Sequence, residues 1–134
     1  MDLFGNDLLL ALGKQLDAST LSQRVIANNI ANVSTPGFKK SSVSFQEQLR
    51  AALNKGEILM STTNTRHMGG VPLLQRISPM VIQEKGTTMR YGDNNVDIDQ
   101  EMVNLAANTV VYNTSSQILG NKLKGLESVI RGGW

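Results

Sequence analysis

The 134-residue chain has no cysteine, one histidine, one tryptophan, three prolines and only 4% aromatic residues. Without cysteine there is neither a disulfide framework nor a thiolate metal site, a composition that suits an extracytoplasmic destination. With one histidine, His67, Ser-His catalysis would rest on that residue alone, and no serine sits in a nucleophile-elbow sequence. His67 reads as a loop histidine, and neither an enzyme nor a cofactor is expected. No stretch reaches the roughly 20 apolar residues of a membrane span. Residues 1–7 lack a basic n-region and Leu8-Leu9-Leu10-Ala11-Leu12 is short, so any export is expected to follow a route that cleaves no such signal. The net charge is +2 and the longest basic run is Lys39-Lys40, which argues against a nucleic-acid surface. So few aromatics also predict a helical body that is weak alone and firmed by neighbours.

What the chain does have is two long heptad stripes. Leu9, Leu12, Leu16, Ser19, Gln23, Ile26, Ile30 and Val33 step by alternating threes and fours, and six of these eight are apolar. Ile98, Met102, Leu105, Thr109, Tyr112, Ser116, Leu119, Leu123, Leu126 and Ile130 repeat the spacing, which keeps one helix face turned toward a partner. Laid antiparallel, the stripes set Val33 beside Ile98, Gln23 beside Thr109 and Leu9 beside Leu123. The expected class is mainly α, with the long N- and C-terminal helices paired as an antiparallel coiled coil around a short irregular or β-containing middle.

Three regions follow: an N-terminal assembly helix in 1–36, a middle segment in 37–95 and a C-terminal assembly helix in 96–134. The first helix should cover about residues 7–33 and stop before Pro36-Gly37. Ser44 and Glu47 have capping-box spacing, and Phe45, Leu49 and Leu53 give a short helix its apolar face. The stretches 80–83 and 87–91 read either as short strands about a turn at Glu84-Lys85-Gly86 or equally as extended loop. Asp97 can cap the last helix with Gln100 at the third helical position, before a stop at Gly132-Gly133. Asp97, Asp99 and Glu101 do not converge as metal ligands and read as capping and dipole charges.

The most specific string is Ala27-Asn28-Asn29-Ile30-Ala31-Asn32-Val33-Ser34-Thr35-Pro36-Gly37-Phe38-Lys39. A Pro-Gly helix stop explains Pro36 and Gly37 but not three asparagines, mediocre helix formers whose amides can bond carbonyls, adjacent helices or the following turn. Ala27 and Ala31 are small enough for another helix to come close. The string resembles the A-N-N-I-A-N-x-x-T-P-G-Y/F-K pattern of the axial proteins of the bacterial flagellum, its rod and hook components. The run 95–106 (NVDIDQEMVNLA), then Asn108, Tyr112 and 119–126 (LGNKLKGL), is similar to the proximal rod members, as is Thr63-Asn64-Thr65-Arg66-His67 to their T-x-x-R-H segment. Ser34, Phe38 and Ala107 depart from commoner family residues. The short middle resembles the proximal rather than the distal rod.

The resemblance implies a structural subunit of the proximal rod that polymerises helically into a hollow, periplasm-spanning drive shaft for torque and for the export of later axial proteins. The implied partners are copies of itself, other rod proteins, the adapter joining rod to inner-membrane ring, and the flagellar type III export apparatus. No nucleic acid and no small-molecule substrate are implied. The competing reading is a soluble helical binding module or chaperone-like regulator of an export system.

Overall fold

The computed structural model describes residues 6–54, 73–84, 86 and 93–132. The elements run α1 (Asn6–Ala31), β1 (Ser41–Ser44), α2 (Gln46–Asn54), α3 (Leu73–Arg76), β2 (Met80–Gln83) and α4 (Ile98–Ile130). The protein is mainly helical. Its two long helices pack antiparallel, since Asn29 near the end of α1 meets Glu101 at the start of α4 and Ser19 lies beside Asn108 further along. The expected strand segment 87–91, the segment 63–67 with His67, and Trp134 lie outside the described residues.

Each boundary has a local cause. The last turn of α1 tightens, with Asn32 N–H shared between the Asn28 and Asn29 carbonyls and Val33 N–H donating to Ile30, so α1 closes two residues before the expected 33. Thr35 to Phe38 then forms a turn closed by Phe38 N–H to the Thr35 carbonyl at 3.3 Å. Pro36 occupies its second position and Gly37, at φ +71°, its third, the backbone a type II turn demands. The α4 helix is capped by Asp97, whose carboxylate accepts from the N–H groups of Asp99 at 3.0 Å and Gln100 at 3.4 Å. It ends where Gly132 takes φ +86°.

The middle segment is built around Phe45. The expected capping box placed Ser44 at the helix start, but Ser44 closes β1, and the Phe45 carbonyl accepts the first helical bond from Leu49 N–H. Burial of the ring outweighs the cap: Phe45 is 2% exposed and packs with Ala18, Leu74 and Ile77, flanked by Leu10, Ala11, Val43 and Leu49. Lys14 of α1 donates to the Ile77 carbonyl at 2.7 Å and the Gln75 carbonyl at 3.2 Å, satisfying backbone groups left open at the end of α3. The two strands pair antiparallel with Ser41 opposite Gln83 and Ser44 opposite Met80. Residues 80–83 are thus a strand, one of the two expected readings, paired with β1, and the segment 87–91 expected across Gly86 lies outside the described residues. Val43 of β1 packs against the Phe45 cluster.

Candidate assembly site at the asparagine junction

One residue turns a helix face by about 100°, so adjacent asparagines on α1 meet different surroundings. Asn28 is exposed, whereas Asn29 is 1% exposed, enclosed by α1, β1 and α4. Its Oδ1 accepts from the Ser41 N–H at 3.0 Å, and its Nδ2 donates to the Ser41 carbonyl at 2.7 Å and to Glu101 Oε2 at 2.9 Å. The residue type follows: Ser41 offers a donor and an acceptor, the carboxylate needs a donor, and a side-chain amide supplies both. Glu101 is therefore a buried acceptor, a role added to the dipole charge expected of it in the first turn of α4. It sits one turn inside α4 on the face turned to α1, and Asn104 Nδ2 approaches its other oxygen at 3.5 Å.

Two more asparagines complete the junction. Asn94 Nδ2 lies within bonding distance of the carbonyls of Asn32, Val33 and Thr35 at 3.0, 3.1 and 2.8 Å, and its Oδ1 accepts from Val96 N–H at 2.8 Å. Those carbonyls belong to the turn after α1, where those of Asn32 and Thr35 also accept from the Thr35 and Phe38 N–H groups, so a residue about 60 positions away in sequence ties down the exit of the helix. Asn95 Oδ1 accepts from Lys40 N–H at 2.6 Å and its Nδ2 donates to the Glu84 carbonyl at 3.0 Å, joining the approaches to both strands. Lys39–Asp93 at 2.9 Å and Lys40–Glu84 at 3.3 Å lie on the rim, where each ion pair contributes about 1 kcal/mol or less. Among the described residues, no buried side-chain nitrogen or oxygen lacks a partner.

The other side chains of the motif lie outside this knot, which the carbonyls of Asn32, Val33 and Thr35 enter through Asn94. Ala27, Ala31, Thr35, Pro36 and Gly37 are exposed, and Ile30, Asn32 and Phe38 are half-buried. Asn32 bonds locally, donating to the Asn28 carbonyl at 2.8 Å and accepting from Thr35 Oγ1 at 3.2 Å. No group here is an activated nucleophile, and among the described residues no set of three His, Cys, Asp or Glu could hold a metal ion. What the arrangement does is mechanical: it fixes where the long helices meet and at what register. Gln100 donates its backbone N–H to the Asp97 carboxylate, while its side chain donates to Asn104 at 3.1 Å.

Along the helix pair, Ile26 is buried, Leu9, Leu12, Leu16, Ile30 and Val33 are half-buried, and Gln23 is exposed. On α4, Leu105, Leu119 and Leu126 are half-buried, while Ile98, Met102, Thr109, Tyr112, Leu123 and Ile130 are exposed. The residues that α4 turns to α1 include Glu101 and Asn108, with Ser115 buried along the same line. Asn108 Nδ2 donates to the Ser19 carbonyl at 2.9 Å. Asn94, Asn95 and Glu101 were not singled out from the sequence as junction residues. The available signal was a second Asn-Asn pair immediately before the cap at Asp97, mirroring Asn28-Asn29.

Residues 16–39, which hold the α1 half of the junction, match the family described as Flagella basal body rod protein. The Flagellar basal body rod protein FlgB of Borrelia hermsii is 36% identical over 123 residues, covering 88% of this chain and 91% of that protein. The protein of the same name from Bacillus subtilis is 33% identical over 122 residues, with 91% and 92% covered. That of Borreliella burgdorferi is 31% identical over 123 residues, again 88% and 91%. The likeness thus spans both long helices and the junction that joins them, and the chain belongs to the FlgB family of flagellar basal body rod proteins, structural components of the flagellar rod rather than enzymes.

Proposed function

We propose that this chain is a subunit of the proximal rod that polymerises helically into a hollow shaft, transmits motor torque across the periplasm, and leaves a channel through which later axial proteins are exported. Family membership supports a rod subunit. The observation that carries the finer reading is the buried junction of Asn29, Asn94, Asn95 and Glu101, which fixes two long helices at one register without a large apolar core. A torque-bearing subunit needs that property, because a seam that slipped by a turn under load would shift its contacts by about 5.4 Å. The partners on this reading are copies of the chain, other rod proteins, the adapter to the inner-membrane ring, and the type III export apparatus that secretes it without cleaving a signal. Among the described residues, no helix is long and apolar enough to cross a membrane.

The test is incorporation. In a flagellated host lacking its own subunit, the wild-type chain should restore rods visible in isolated basal bodies. The double substitution Leu105→Asp with Leu119→Asp, which places charge in the seam, should be produced yet leave cells without rods. Normal rods from that variant would remove the seam from the explanation, and absence of the wild-type chain from purified basal bodies would remove the whole reading. A closed oligomer of fixed mass in solution would favour the soluble-module alternative.

A further inference from the structure

We draw no further inference here: the strongest candidate, the surface patch where exposed Met80, Val81 and Ile82 of β2 border a groove lined by Arg24, Val25, Asn28 and Ser41, carries none, because nothing in the structure shows what covers it.

Discussion

Replacing Asn29 by alanine, set against the same change at Asn28, tests the junction most sharply because the two residues are chemically identical neighbours. Asn29→Ala removes bonds to the Ser41 N–H, the Ser41 carbonyl and the Glu101 carboxylate. A buried polar group left unpaired costs about 1–3 kcal/mol, and three such groups would cost most if nothing replaced the amide. A water entering the vacated polar space could bond two or three of them. Alanine also gains about 0.6 kcal/mol as the better helix former. The net expectation is a loss of about 2–4 kcal/mol, which for a domain of this size lowers the midpoint by on the order of 10 °C. Asn28→Ala loses only an exposed side chain and keeps the same gain in helix propensity, so it should leave stability unchanged or raise it by up to about 0.6 kcal/mol. The assay is urea and thermal unfolding of the full chain followed by circular dichroism. A third variant, Asn29→Asp, sets a carboxylate against both Glu101 and the Ser41 carbonyl and should be worse than alanine at neutral pH. If Asn29→Ala and Asn28→Ala unfold within about 0.5 kcal/mol of each other, the junction does not hold the helices and the argument fails.

Other substitutions probe the remaining supports. Phe45→Ala should cost about 3–5 kcal/mol in urea unfolding, the range for an emptied aromatic core site, and a loss below about 1 kcal/mol would show that the middle segment is not organised by this ring. Asp97→Ala should cost about 1 kcal/mol through the lost helix cap, whereas the exposed Asp99→Ala should cost clearly less by the same measurement. Gly37→Ala should lose about 1–2 kcal/mol in thermal unfolding because its φ of +71° disfavours a side chain, and an unchanged midpoint would show that the turn relaxes to another type.

Helix periodicity was legible because it is a local property: spacing of three and four marks a face whatever that face touches. The same locality explains the misses. A heptad stripe does not state which of its edges a given partner takes, so the exposure of Met102 and Leu123 beside half-buried Leu105 and Leu119 could not be read from spacing. Asn94 ties down the exit of a helix from far along the chain, and β2 finds β1 across α2 and α3; both depend on chain closure rather than on neighbouring residues.

The sequence by itself therefore determined the long helices, the Pro36-Gly37 stop, the Asp97 cap and the family pattern. Each is decided within one or two turns of backbone by dihedral preference, hydrogen-bonding chemistry or residue order. Only the tertiary structure decided which asparagines are buried, that Glu101 is an internal acceptor, and which residues of α1 the Phe45 cluster covers. Those outcomes depend on where segments distant in sequence come to rest, and desolvation, which makes a buried amide valuable and an exposed one nearly neutral, exists only once they have met.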